Sequence, residues 1–469
     1  MSDPSGVPAA GPLASPTPER ERTRVLREGM WVGFGQVASS LGRLVGIRLV
    51  TGLVSPETFG LIALLQGLTA LGNNLFCNPL LQVTLRFYPE ALREGRVNAL
   101  RRLVGRLLRG STLLVATAIM VGGTFWSALG LTVAQVPAFL AVVVLLALDV
   151  WRSFETCLQN AARDQKDQAL WGTMDAWARP LAAVAVVLLF APSATSVLVG
   201  YAVGCAAVNL VFRRTVVVGT DASKGPESEP WIARMRGLAI RYAAPLVPLA
   251  VLTWVMTLAD RYFIAGIAGI REAGLYAAVY GLAAQPFIML SGIGMFTLRP
   301  VLFHAVAHDD AGKERRTITI WLALVAGGSL VGALLVTALA EWAVSVALGK
   351  NYHSAWQLLP WIAYGYAFQS VQTVFEAMIY SQRRTGRLLL LNVVSASSAL
   401  LLYALLIPRN GALGAAMAVF VSYVISCVAA FFLADGPHRI LGHGTRPTGS
   451  PGPDGAAGAG MAESSREGR

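Results

Sequence analysis

GRLVGIRLVTGLVSPETFGLIALLQGL, residues 42–68, reads as two apolar helices joined by a tight turn at Ser55, Pro56, Glu57 and Thr58. Its last nine residues return more than two hundred positions later as GLYAAVYGL, 274–282, with Gly, Leu, Ala, Gly and Leu in register. Arg48 lies twelve residues before the first block and Arg261 thirteen before the second. The helix that follows each block ends alike, in TLRF at 84–87 and TLRP at 297–300. Ordered landmarks of this kind mark a duplicated chain.

Both copies are apolar throughout. Of the 469 residues 55% are apolar and only 14% charged, with mean hydropathy +0.57. Apolar runs long enough to cross ~30 Å of hydrocarbon recur to the C-terminal region, and only helices can satisfy the backbone there. Twelve spans are predicted, at 30–54, 59–84, 107–130, 136–159, 170–191, 195–213, 238–264, 273–297, 317–340, 355–380, 387–407 and 411–434. The expected architecture is an all-α membrane protein of two six-helix lobes related by a parallel repeat, because an even number of spans starts both halves on the same side. The lobes are expected at 29–213 and 238–434, with a linker at 214–237 and disordered tails rich in Pro, Gly and Ser at 1–28 and 435–469. No cleavable signal peptide is read in the first tail, so the first span is expected to direct insertion.

Positive charge sets the expected orientation. Arg20, Arg22, Arg24 and Arg27 precede the first span, and Arg86, Arg93, Arg96, Arg101, Arg102 and Arg106 follow the second. Lys and Arg also fill the later even-to-odd connections, whereas the opposite loops hold only Arg271, Lys350 and Arg409. Both termini are therefore expected in the cytoplasm, and topology accounts for the net charge of +12 without nucleic acid. One basic loop, ALREGRVNALRRLVGRLLRG at 91–110, places Val97, Leu100, Val104, Leu107 and Leu108 near one face. Such an amphipathic segment is either an interfacial helix leading into the third span or a site for anionic headgroups.

Signs of reaction chemistry are missing. No phosphate-binding loop, nucleophile motif or carboxylate pair on a long outer loop is present, so neither an enzyme nor a cofactor is implied. Cys77, Cys157, Cys205 and Cys427 fall at spans without paired spacing and read as packing residues. His304 and His308 lack an acidic companion, so no metal site is expected.

Charges inside spans are the candidates for function, since each costs roughly 2.5–3.5 kcal/mol to insert and usually faces a cavity or a partner. Gln36, Ser40 and Arg43 share one helical stripe reaching the middle of the first span, whereas Arg48 lies about 140° away and can snorkel outward. Asp149 and Arg152, three apart, and Asp175 and Arg179, four apart, are either intrahelical ion pairs or four charges gathered at a cavity wall. Arg261 is a candidate substrate contact from the second lobe; its neighbour Asp260 is a candidate for ion coupling or a structural cap. Glu376, with Gln369 and Gln372 near its face, is a further candidate.

The stretches LVSPETFGLIALLQGL (53–68), RFYPEA (86–91) and LADRYFIAGIAGIREAGLYAAVYGLAA (258–284) resemble the O-antigen, or polysaccharide biosynthesis, flippases of the multidrug/oligosaccharidyl-lipid/polysaccharide exporter superfamily. The resemblance covers 29–434 and rests on the order and spacing of small residues and turns; the Pro-rich N-terminal tail departs from it, and no sugar-binding residue can be matched. It implies a V-shaped pair of lobes that alternately opens to each side of the bacterial inner membrane and moves undecaprenyl-pyrophosphate-linked oligosaccharide outward for O-antigen, capsule or exopolysaccharide synthesis. Arginine forks suit a pyrophosphate, while the polyprenyl tail can stay among membrane lipids. Without a nucleotide site, the expected drive is a proton or sodium gradient, or consumption of the product by polysaccharide polymerase machinery. The rival readings are a multidrug exporter of the same fold and a membrane glycosyltransferase or polymerase.

Cysteines introduced at Glu57, Ser193 and Asn410 are expected to react with an impermeant reagent outside intact cells, and cysteines at Arg96, Glu229 and Lys313 are not. Reversal at any two positions contradicts the orientation.

Overall fold

The computed structural model describes residues 18–128, 136–162, 164–215, 229–382 and 384–436. Most of the predicted tails and part of the predicted linker lie outside the described residues. The described chain is built of helices: α1 (Pro18–Leu53), α2 (Pro56–Gly72), α3 (Asn78–Arg93), α4 (Val97–Ala128), α5 (Val136–Ala161), α6 (Gln165–Leu189) and α7 (Ala194–Thr215) form the first half. After α8 (Glu229–Ala243), the second half holds α9 (Leu246–Ile267), α10 (Ile270–Ala307), α11 (Ala311–Ala338), α12 (Ala340–Ala347), α13 (Leu358–Ser381) and α14 (Thr385–Leu433).

Among the described residues nine helices are long and apolar enough to cross a membrane. One of them, Gly386–Leu433, is broken at Gly411, whose φ of 56° lies in the left-handed region that glycine alone enters without strain. Predicted spans 387–407 and 411–434 are its two arms. Helices α1 and α13 are long enough but less apolar, α1 through Gln36, Arg43 and Arg48 and α13 through Gln369, Gln372 and Glu376. The second crossing is α2 and α3 joined by a π-helical turn, Asn73–Cys77.

Local chemistry explains the ends. Ser55 caps α2 by accepting a hydrogen bond from the Thr58 amide at 3.3 Å, and Pro56 opens the helix where no amide partner is required. The seventh crossing starts at Leu246 rather than 238, because Ala244 and Pro245 separate it from α8. Helix α8 docks on the first half: Trp231, Met235 and Ala239 are buried in its core, and the Trp231 indole donates to Glu94 Oε2 at 2.6 Å. The amphipathic segment is the start of α4, continuous with the third crossing. Val97, Leu100, Val104 and Leu108 are buried, whereas Arg102, Arg106 and Arg109 are exposed.

The first half packs around one large apolar core drawn from α1–α8 and a small cluster at Trp171, Val208 and Phe212, and the second half around two cores drawn from α9–α14. The halves meet through the repeated blocks. Gly60 of α2 and Gly274 of α10, the first residues of those blocks, cross so closely that a Cβ on Gly60 would collide with the Ile270 carbonyl oxygen, and one on Gly274 with that of Pro56. The second glycines follow: Gly67 lies under Tyr262 of α9, and Gly281 under Ile47 of α1. Tyr262 donates its hydroxyl proton to the Leu64 carbonyl at 2.7 Å, and Trp254 donates to that of Gly67 at 3.0 Å.

The same end of the molecule carries further cross-lobe bonds. The Gly349 amide donates to Thr51 Oγ1 at 3.1 Å, the Tyr352 hydroxyl donates to the Val54 carbonyl at 3.1 Å, and Arg271 faces Glu57 at 3.5 Å. The lobes are thus latched at the end opposite the basic loops.

Gly274→Leu is expected to prevent this closure, since its side chain meets backbone rather than a movable group. Spin labels at Glu57 and Arg271 should give one short distance in the parent and a longer one in the variant. An unchanged distance contradicts the role of the glycine crossing.

Candidate functional site

A cavity of about 710 Å³ opens between the lobes toward the basic-loop end. Its walls come from α1 (Gln36, Ser39, Arg43), α5 (Arg152, Thr156, Asn160) and α6 (Gln165, Gln168, Asp175, Arg179), with Gln66 of α2, Tyr201 of α7, and Gln285 and Phe296 of α10. The second lobe contributes one amide and one aromatic ring to a site otherwise made by the first.

The helices present these groups for simple reasons. In α1, Gln36, Ser39 and Arg43 are three and four apart and lie on one face. Ser40, predicted on this stripe, is off the cavity wall, and Ser39 takes its place, with its hydroxyl 3.5 Å from that of Thr173 on α6; both serines are buried. In α6, Asp175 and Arg179 are one turn apart, so Arg179 Nε donates to Asp175 Oδ1 at 2.9 Å. The rest of the fork reaches across to α5: Nη1 donates to Asp149 Oδ2 at 3.2 Å, and Nη2 donates to Asp149 Oδ1. Arg179 Nη2 also points at Cys205 Sγ, 3.3 Å away.

Arg152 lies above this arrangement, 3.5 Å from Asp149 Oδ1 and 3.6 Å from Asp175 Oδ2, with its Nε lacking a hydrogen-bond partner. The two aspartates and two arginines of α5 and α6 therefore form one neutral, cross-linked cluster. Both aspartates have arginine partners on their own helix and on the neighbouring one. Arg43 stands apart. Its side chain is exposed to the cavity and makes neither a hydrogen bond nor an ion pair among the described residues. The wall thus carries one positive charge that the protein leaves uncompensated.

The other sequence candidates lie elsewhere. Arg48 is exposed and absent from the cavity wall. Arg261 and Asp260 sit in the core of the second lobe. The Asp260 carboxylate is fully buried and accepts from the Tyr276 hydroxyl at 2.6 Å and the Arg261 amide at 2.8 Å. Arg261 lies over the Tyr280 ring, 5.0 Å from its centroid, with Nε buried and unpartnered. Glu376 accepts from Gln372 at 2.8 Å on α13 and is also off the wall. His304 and His308 stack at 4.1 Å, and no group of three metal-binding side chains occurs among the described residues. All four cysteines are free and buried.

Apart from Gln36, sequence reasoning missed the amides of the wall. Gln66 and Gln285 interrupt apolar helices, a signal that was available, and Gln285 Oε1 is buried without a partner. Asn160, Gln165 and Gln168 fall between the predicted spans 136–159 and 170–191, and they line the wall because α5 and α6 frame the cavity mouth.

No protein-family model and no curated protein matches this sequence. Solved structures do. A multidrug resistance MATE family transporter of the MOP superfamily in an inward-facing conformation superposes with TM-score 0.65 at 11% identity, covering 85% of this chain and 94% of that one. The lipid II flippase MurJ in an inward closed conformation gives 0.66 at 11% identity, covering 87% of each chain. A MOP superfamily transporter from Pyrococcus furiosus, described by the reverse polarity of its binding pocket, gives 0.62 at 10% identity over 88% of this chain and 95% of that one.

The chain shares the fold of these structures. It is a multi-pass, all-helical membrane protein with the V-shaped twelve-helix arrangement, and the structures it resembles are transporters and flippases rather than enzymes.

Asp149→Asn should destabilise the protein by about 3 kcal/mol, the order expected when one member of a buried ion pair is removed. Adding Arg179→Met should restore a good part of that loss. Thermal unfolding in detergent checks both; additive losses contradict a coupled cluster.

Proposed function

We propose that this protein is a flippase for an undecaprenyl-pyrophosphate-linked oligosaccharide, carrying it from the cytoplasmic to the outer leaflet of a bacterial inner membrane, with both termini in the cytoplasm. Arg43 is the observation that carries the reading: an uncompensated guanidinium on the wall of an interlobe cavity, beside a charge cluster that is already neutral. Such a wall attracts an anion. A fork with all its donors free can grip pyrophosphate oxygens through paired, charge-assisted hydrogen bonds. Arg152, whose Nε lacks a hydrogen-bond partner, lies on the same wall as a second donor. The amides of Gln36, Gln66, Asn160, Gln165, Gln168 and Gln285 suit sugar hydroxyls, since each offers both a donor and an acceptor.

The lobes move as bodies in this proposal, 29–213 against 238–434, and the glycine crossing is the outer gate of the inward-open state. Opening that gate brings Arg261 to the substrate from the second lobe. A proton or sodium gradient drives the cycle, with Asp260 the best-placed coupling group because it alone of the candidate acids is fully buried. Consumption of the product by polymerase machinery is the other source of drive. A multidrug exporter is the competing reading, and the saturation of Asp149 and Asp175 by arginine works against it, because a cationic drug needs a carboxylate that is free.

In vesicles loaded with a labelled lipid-linked oligosaccharide, Arg43→Ala should insert normally and lower transport at least ~10-fold, as loss of a charge-assisted contact of roughly 1.5–3 kcal/mol implies. Arg43→Lys should recover part of the rate, and Arg48→Ala should be mild. Parental transport by Arg43→Ala at equal protein, or a requirement for nucleotide, would overturn the proposal.

A further inference from the structure

Charge in the interlobe cavity is confined to its deep end. Gly281 of α10 lies under Ile47 of α1, and from that contact both helices run toward the basic-loop end. Four residues along from it stand Arg43 and Gln285, and fifteen residues along stand Val32 and Phe296, all on the cavity wall. At ~1.5 Å per residue the second level lies about 16 Å nearer the mouth than the first, farther than a pyrophosphate held at Arg43 reaches. Arg152, Asp175 and Arg179 share the deep end with Arg43. Toward the mouth the wall is uncharged, with Gln36, Thr156, Asn160, Gln165 and Gln168 on the first lobe and Phe296 on the second.

Phe296 is a large ring left in the open. It is 53% exposed and packs in none of the apolar cores of either lobe. Eleven residues after Gln285, it lies within about 20° of it around α10, so both face the cavity. Gly292 falls on the same stripe between them, and a Cβ there would meet nothing within 4 Å, so the space beside the ring is open. A sugar ring has the two characters that this level of the wall answers. Its hydroxyls suit amides, which both donate and accept, and its face of C–H groups suits an aromatic surface that gains by leaving water. A lipid tail would use the ring without the amides, and a phosphate neither.

We propose that Phe296 and the first-lobe amides at the mouth form a saccharide clamp for uncharged sugars, with the phenyl ring against the C–H face of one sugar while the pyrophosphate lies at Arg43. The inference rests on the flippase reading and adds a specificity to it. The wall at this level offers no carboxylate to an amino sugar and no arginine to a sugar acid. Phe296 is then the residue of the second lobe that distinguishes a glycosylated lipid from a bare one.

Isothermal titration of the purified full chain in detergent tests this with three probes. They are a short-chain polyprenyl pyrophosphate, the same lipid carrying a neutral N-acetylhexosamine trisaccharide, and that glycolipid with its acetyl groups removed to leave free amines. The parent should bind the acetylated probe about 10-fold more tightly than the bare lipid, and more tightly than the free-amine form. Phe296→Ala should remove most of that gain and leave binding of the bare lipid unchanged, whereas Phe296→Tyr, which keeps the ring, should retain the gain. Equal binding of the bare and acetylated lipids by the parent, equal or tighter binding of the free-amine probe, or an undiminished gain in Phe296→Ala overturns the proposal. Weaker binding of the bare lipid by Phe296→Ala also overturns it, because the ring then serves the prenyl chain. Each of these outcomes leaves the flippase reading standing. Arg43→Ala should weaken all three probes, and failure to do so, or absence of any binding by the parent, removes the flippase reading and the clamp with it.

Discussion

Arg179 commits its whole fork to two aspartates, and the character of the interlobe cavity follows from that. A charged group that leaves water needs a partner, and the cost of leaving one unpaired in the membrane interior exceeds that of most packing defects. Asp149, Asp175, Arg152 and Arg179 meet this constraint among themselves across α5 and α6. The aspartates are thereby withdrawn from the cavity as free anionic sites, and Arg43 sets the sign of the wall. Without Arg179 only Arg152 would remain to face the two carboxylates, and the cluster would carry one net negative charge.

The second constraint is steric. Where α2 and α10 cross, hydrogen in place of a side chain lets two backbones approach to contact, and the bonds of Thr51, Val54 and Glu57 to the second lobe hold that end together. Closure at one end is what opens the cavity at the other. Because the crossing is made by corresponding residues of the two repeats, the contact is nearly symmetric, with Gly67 and Gly281 repeating it one level deeper against Tyr262 and Ile47.

Much of this was legible in the sequence, and the reasons differ by element. The turn at 54–58, the repeated blocks and the crossings follow from local patterns, and helical periodicity alone puts Gln36 and Arg43 on one face. Periodicity could not separate Ser39 from Ser40, which differ by about 100° around α1; only the position of α6 decides which one reaches the cavity wall. Whether the four charges of α5 and α6 pair within or between helices likewise depends on tertiary packing, and the structure has both kinds of bond. Arg261 looked like the counterpart of the first-lobe arginines, yet the tyrosines of α10 and α13 enclose it in this conformation. Gln285 joins the wall only because the lobes meet, which no pattern within one helix can reveal. Helix α8 was hidden because Arg234, Arg236 and Arg241 break up its apolar residues and its role is to dock on another element.

The account stands on the claim that the interlobe cavity receives an anion at Arg43. Determining the structure of the protein in a lipid nanodisc with a short-chain polyprenyl-pyrophosphate oligosaccharide tests this most directly. The account predicts phosphate density within hydrogen-bonding distance of Arg43, sugar density among the amides of α1, α5 and α6, and an intact Arg179 fork. Phosphate bound elsewhere, or a cation held by Asp149 and Asp175 with the fork broken, would contradict it.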